Sequence, residues 1–292
     1  MRFKLRHITS YDYAEQVDLA SHVLHLSPRP LAWQQVSKPR ILCEPAPART
    51  STATDHFGNE VHWIFIDQPH DELRVTAESE VDVIFPAAPA PEATPAWEHV
   101  AAAARAGGSQ AWAAAEFLFP GPMVANDQGA GPYVAQSFPP GRPILAGLID
   151  LNGRIKRDFA FRPLSTTITT SVARVMAQRA GVCQDFAHLM IAGLRALGLP
   201  ARYTSGYIRT APPPGQPRRV GADVSHAWVG AWLGPAHGWI DLDPTNNLVV
   251  REEHVVLGWG REFSDVSPLR GIILGGGTHG LAVSVDLEPL PG

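Results

Sequence analysis

Gly181-Val182-Cys183-Gln184-Asp185-Phe186-Ala187-His188, running on through Leu189 to Pro200, decides how this chain is read. Leu197-Gly198-Leu199-Pro200 stops the stretch, and before the stop Phe186, Leu189, Met190, Leu194 and Leu197 recur at three-, four- and eight-residue intervals. That spacing predicts a helix with one apolar stripe. Cys183 then falls at or near the first turn, where unpaired backbone N–H groups and the positive end of the dipole favour a thiolate. A cysteine so placed is a candidate nucleophile, and a nucleophile needs a base.

Outward from this helix the chain changes character. Upstream, residues 1 to about 85 read as strands. Leu73, Val75, Ala77, Val81, Val83 and Phe85 alternate with charged and polar neighbours, as Phe3, Leu5, His7 and Thr9 do near the start. Short strands without helical period predict an antiparallel β-sandwich over residues 1–90. Pro86 to Pro95 is a stiff Pro/Ala linker. Beyond it, residues 96–292 read as a second unit. An Ala-rich helix runs from about Trp97 to Phe119, an irregular stretch from Pro120 to Pro143, and a helix carries Ile144, Leu148, Leu151 and Ile155. Thr170-Ser171 caps a short helix before Gly181. After the cysteine helix come strands at 201–208, 225–233 and 239–242, a Pro-rich loop at 211–217, and two further strands at 271–274 and 281–287. Helices followed by strands make this unit α+β.

Composition narrows the function. At 292 residues with 45% hydrophobic content the chain can bury real cores, yet its apolar runs are too short to span a bilayer. A net charge of −4 gives no basic footprint, so no nucleic-acid partner is implied. Two cysteines, Cys43 and Cys183, exclude a disulfide framework and a cysteine-rich zinc site. The start shows no signal-peptide core. A cytoplasmic protein is the expectation, with no membrane partner and no cofactor. Whether it forms a homo-oligomer stays open.

His188 is the histidine nearest to Cys183 in sequence, but five residues along a helix turn it about 140° away, at roughly 100° per residue. It reads as a packed histidine. Asp185 suits the first turn of the helix as a carboxylate and could also line the site. His226 opens a strand in which His226, Trp228, Gly230 and Trp232 share a face, while Trp239, Asp241 and Asp243 share a face of the next. If Gly234 to Gly238 closes an antiparallel hairpin, Asp243 lies roughly 7 Å nearer to His226 than Asp241 does. Asn246 and Asn247 could lie nearer still, and an amide also orients a histidine. Register alone leaves that choice open. A metal site at Cys183, Asp185 and His226 is disfavoured, with one thiolate and no clustered histidines.

Taken in order, Gly181 to His188, Leu199-Pro200-Ala201-Arg202-Tyr203, Ser205-Gly206-Tyr207, His226-Ala227-Trp228-Val229, Trp239 with Asp243-Pro244-Thr245, and Gly260 to Pro268 resemble the transglutaminase-like superfamily. The closest pattern is its bacterial two-domain branch with an N-terminal β domain. The resemblance covers nearly the whole chain. It implies a papain/transglutaminase-like core whose nucleophile stands at a helix N-terminus packed on an antiparallel sheet. It also carries a triad onto Cys183 as nucleophile, His226 as base and Asp243 as the histidine's partner. The implied activity is acyl transfer on a peptide or protein substrate through a thioester, with hydrolysis by a cysteine peptidase or amidase favoured over a protein-glutamine transglutaminase. A non-catalytic binding scaffold is the reading from another class. Trp228, Tyr207 and Asp185 are the candidate substrate-binding residues. One departure stands out: many relatives carry an acid four residues after the histidine, where this chain has Gly230, so any ion pair relying on that acid is expected to be absent.

Overall fold

The computed structural model describes residues 1–108, 111–125, 129–210, 221 and 223–291. The chain opens with five antiparallel strands, β1 (Arg2–Leu24), β2 (Gln34–Glu44), β3 (Arg49–Thr54), β4 (Glu60–Ile66) and β5 (His70–Val83). Their order in the sheet is β2-β5-β1-β4-β3. Alternation is what builds it: Phe3, Leu5, His7 and Thr9 are buried while Arg2, Lys4 and Arg6 are exposed. The strands are longer than expected. β1 runs 23 residues, and its buried positions switch from odd to even where its pairing register shifts between Val17 and Leu19. An extra residue at a bulge does this without breaking the strand.

After the Pro/Ala linker the chain turns helical, with α1 (Trp97–Ala106), α2 (Trp112–Ala115), α3 (Ala130–Ala135) and α4 (Ile144–Asp158). The helix expected over 97–119 is thus divided, and the stretch expected to be irregular contains α3. β6 (Ala160–Phe161) follows, then α5 (Val172–Gln178), whose cap is Ser171: its Oγ accepts the Arg174 N–H at 3.3 Å. β7 (Ala180–Gly181) pairs in parallel with β6 and hands the chain to α6 (Cys183–Ala196). β8 (Ala201–Ile208), β9 (Val224–Trp232), β10 (Trp239–Asp243), β11 (Leu248–Val249) and β12 (His254–Gly260) then form a five-stranded antiparallel sheet in the order β11-β10-β9-β8-β12. The loop expected at 211–217 lies outside the described residues.

The last two strands, β13 (Leu269–Gly275) and β14 (His279–Pro289), do not complete this second sheet, as the sequence suggested. They pair with the two halves of β1, Leu269–Gly275 against Val17–Leu24 and His279–Pro289 against Phe3–Tyr13. The chain therefore ends in the sheet where it began.

Two faces of the five-stranded sheet are covered by different material. On one, Phe186, Leu189, Met190 and Leu194 of α6 pack with Ala227, Val229, Ala231 and Leu242. On the other, Trp228 packs with Val250 and Val256, and against Leu31 and Trp33. Tyr207, Val255 and Leu257 share a cluster with Phe3, Leu5, Val81 and Leu287, joining the two sheets through a common core. Gly206 marks the tightest point. A Cβ there would stand 2.1 Å from the Val255 carbonyl oxygen and 2.4 Å from the Trp228 ring. Gly206→Ala is expected to lower stability by about 1–3 kcal/mol, read from urea denaturation; an unchanged midpoint would mean that β8 and Trp228 have room to spare. Among the described residues no helix is long and apolar enough to cross a membrane.

Candidate active site

Cys183 is the first residue of α6 and half-buried. Val182 before it is extended, with φ −120° and ψ −178°, and carries no side-chain acceptor to cap the helix. The cap comes from inside: Asp185 folds back so that its Oδ2 accepts the Val182 N–H and the Thr166 hydroxyl, each at 2.7 Å. Burial pushes the Asp185 carboxyl above the usual range, against those two donors. Gly181 makes this possible, because a Cβ there would sit 2.8 Å from the Asp185 side chain. Asp185 is only 2% exposed, so it anchors the turn that presents Cys183 and offers no surface to a substrate.

His226 lies in the first turnings of β9 and is 6% exposed. Its Nε2 donates to Asp243 Oδ2 at 2.8 Å, and the Cys183 side chain is near enough to shift its titration. With Nε2 committed, Nδ1 is the ring nitrogen left for the thiol. Asp243, with no exposed surface, ends β10 and is itself held. Its Oδ1 accepts the N–H groups of Thr245 at 2.9 Å and Asn246 at 3.2 Å, and its Oδ2 accepts from Asn246 Nδ2 at 2.7 Å. The hairpin has the expected sense, with Asp241 opposite Gly230 and Leu242 opposite Val229. Asn246 serves the carboxylate rather than the histidine, and the Asn247 side chain accepts from Asn152 Nδ2.

These contacts polarise the pair. Burial alone would lower the pKa of His226, but the hydrogen bond to Asp243, the neighbouring Cys183 thiol, and then the charges of both push it up to about 10. Burial would raise Asp243; the hydrogen bonds of His226 and His254, the His226 charge and Asn246 instead hold it well below the carboxylate range. A histidine protonated more readily folded than unfolded stabilises the fold fully below its ordinary value of 6.5 and loses that contribution as pH rises toward about 10. The gap in thermal midpoint between wild type and His226→Ala should therefore narrow between about pH 6 and about pH 10. A constant gap would show that the native state carries no extra proton there.

His188, by contrast, is buried behind the helix. Its Nε2 accepts the Phe263 N–H at 3.2 Å, and burial, helped by Arg195, lowers its pKa to about 3. Trp228 and Tyr207 are corrections to the sequence reading: neither has exposed surface, so neither can wall a substrate site. Alternation put Trp228 on the His226 face correctly but could not show that Val250 and Val256 cover it. Tyr207 donates to His7 Nδ1 at 2.8 Å, across to the first sheet. Gly230 has no side chain to form an ion pair, and the space above it is taken by Asp241 on the adjacent strand, whose Oδ1 lies 2.8 Å from where a Gly230 Cβ would be and 3.8 Å from Arg202 Nη2. Arg202 is stacked between Trp239 and Trp259, with 4.4 and 3.7 Å to the ring centroids.

Sequence reasoning missed two neighbours. Tyr203 is buried, its acidity suppressed first by burial and then by the nearby charges of Cys183 and Asp185. His254 is 2% exposed, with Nε2 3.4 Å from Asp243 Oδ2. Donor atoms of His226, Asp243 and His254 lie within 4.8 Å of one another, but at 2.8 Å the closest pair has hydrogen-bonding spacing, and a metal would have to displace the shared proton.

Comparison with known proteins adds independent findings. The family model described as the bacterial transglutaminase-like N-terminal region matches residues 3–82, and that of the transglutaminase-like superfamily matches residues 143–244. An uncharacterized protein of Mycobacterium tuberculosis is 41% identical over 298 residues, covering 100% of this chain and 94% of its own length. One from Mycobacterium leprae is 32% identical, covering 99% of each. A protein-glutamine gamma-glutamyltransferase of Pseudomonas aeruginosa is 35% identical over 100 residues, 32% of this chain and 15% of that one. Among solved structures, a candidate cysteine protease from Cytophaga hutchinsonii has the same fold, with a TM-score of 0.76, 20% identity, and coverage of 100% of this chain and 92% of that one.

Proposed function

We propose that this chain, which belongs to the transglutaminase-like superfamily, is a thiol-dependent acyl-transfer enzyme acting on peptide or amide bonds. The observation that carries the reading is Cys183 at a helix N-terminus beside His226, whose Nε2 donates to the buried Asp243. In the first step His226 takes the Cys183 proton as Sγ bonds to the amide carbonyl carbon and the carbonyl π pair moves to oxygen. Backbone N–H groups in the first turn of α6, which lack intrahelical partners, are candidate donors for that oxyanion. Collapse of the intermediate breaks the C–N bond, and the imidazolium of His226 protonates the departing amine, leaving a thioester. A second nucleophile then attacks the thioester, His226 takes its proton, and the thiol is released. Asp243 keeps its charge throughout and stabilises the imidazolium.

Water as the second nucleophile makes the enzyme a peptidase or amidase, which is the reading favoured here; an amine makes it a transglutaminase. The test is to incubate wild type and Cys183→Ala with a mixed peptide library, with and without a primary amine, and to follow products by mass spectrometry. Cleaved or deamidated peptides from wild type alone support hydrolysis. Amine-tagged peptides support transamidation. No product from either protein, with a Cys183 no more reactive than Cys43, would leave the fold as a binding scaffold.

A further inference from the structure

Asp243 has more donors than one histidine's orienter needs. Oδ1 is filled by two backbone N–H groups, while Oδ2 takes His226 Nε2 at 2.8 Å, Asn246 Nδ2 at 2.7 Å and His254 Nε2 at 3.4 Å. His254 follows Asp243 by 11 residues but comes from the other edge of the sheet. β11 and β12 lie at opposite edges of the five-stranded sheet, and the short connection between them crosses the face that carries Trp228. His254 is the first residue after that crossing. The Trp228 ring stands edge-on to it at 5.3 Å and 79°, and the His226 ring lies 6.2 Å away. Trp228 is fixed in turn, its indole N–H donating to Asp241 Oδ2 at 3.2 Å. Nδ1 of His254 is buried and has no hydrogen-bond partner. With a carboxylate at Nε2 and no hydrogen-bond partner at Nδ1, the ring carries its hydrogen on Nε2.

We propose that His254 is a positioning residue for the Cys183–His226–Asp243 chemistry, its Nε2–H holding Asp243 Oδ2 as the acceptor aimed at His226 and its ring closing the space behind His226. The inference rests on the acyl-transfer reading above and deepens it. At 3.4 Å the contact is long, so it directs the carboxylate more than it binds it. A packing role alone would be served equally by any side chain of similar volume. A positioning role requires an N–H at the place of Nε2, which a glutamine supplies and a leucine does not.

The experiment compares iodoacetamide alkylation of Cys183 in wild type, His226→Ala, His254→Gln and His254→Leu, with Cys43 in the same chain as the internal standard. Burial raises Cys43 to about 11, so its rate reports only on the reagent and on overall opening. The expected result is that His254→Leu slows Cys183 roughly tenfold relative to Cys43, the scale of a lost hydrogen bond to a charged acceptor, and that His254→Gln restores the rate. Equal rates for His254→Leu and wild type, with His226→Ala still slow, would overturn this inference and leave the acyl-transfer reading standing. A His226→Ala variant as fast as wild type would remove that reading itself. Should His254→Leu fail to fold, long-range 1H–15N correlation of the imidazoles in wild type decides the point: an Nε2–H tautomer for His254 is expected, and an Nδ1–H tautomer overturns the proposal.

Discussion

Asp243→Ala is expected to cost the fold about 3–5 kcal/mol, because it strips a counter-charge from a histidine that is itself buried. The carboxylate has no exposed surface and satisfies backbone donors at Thr245 and Asn246, the Asn246 amide and two histidines. Asn246 is exposed and its amide can turn to solvent, but Thr245 and the two histidines are buried. Asp243→Asn separates stability from chemistry. It keeps the volume and most acceptor capacity, so its stability loss should be smaller, but an amide N–H turned toward His226 Nε2 reverses the ring tautomer and puts a hydrogen where the thiol's proton should go. Guanidinium denaturation of the two variants, alongside Cys183 alkylation rates, measures both effects. Wild-type stability in Asp243→Ala would mean that the carboxylate is neither buried nor paired as described.

Removing the base should have the largest effect on reactivity. His226→Ala is expected to slow acyl transfer by roughly 10²–10⁴-fold, the usual contribution of a positioned general acid–base. His226 carries two protons per turnover, one from Cys183 to the departing amine and one from the second nucleophile back to the sulfur. His188 is the obvious substitute by sequence. It is engaged with the Phe263 N–H, and burial keeps its pKa near 3, so it cannot act as a base for Cys183. The single-turnover rate of thioester formation with an activated ester is the direct measure. A variant within about threefold of wild type would show that the imidazole takes no part in the chemistry.

What the sequence disclosed and what it hid follow from range. The α6 stripe is local, so three- and four-residue spacing was enough to place Cys183 at a helix start, and Ser171 could be recognised as a cap from its neighbours. Strand alternation and a short hairpin brought Asp243 toward His226 but left Asn246 and Asn247 open, and only the family resemblance chose Asp243. Partner choice between distant strands was invisible: nothing in Leu269–Gly275 or His279–Pro289 says that they pair with β1 rather than β12. His254 was missed for the same reason, since a crossover between opposite sheet edges leaves no periodic trace. Trp228 and Tyr207 show a third limit. Alternation assigns a face but not its cover, and here the cover is the chain's own Val250, Val256 and first sheet. The Asp241 carboxylate over Gly230 is a cross-strand contact, which alternation within a single strand cannot show.

The measurement that tests the central claim most directly is intact-mass spectrometry after brief iodoacetamide treatment, across about pH 5 to about pH 9, of wild type and His226→Ala. Cys183 is expected to be modified faster than Cys43 at neutral and mildly acidic pH, and His226→Ala to remove this advantage. Equal reactivity of the two cysteines, indifferent to His226, would contradict it and leave the helix, the strand and the buried carboxylate as architecture alone.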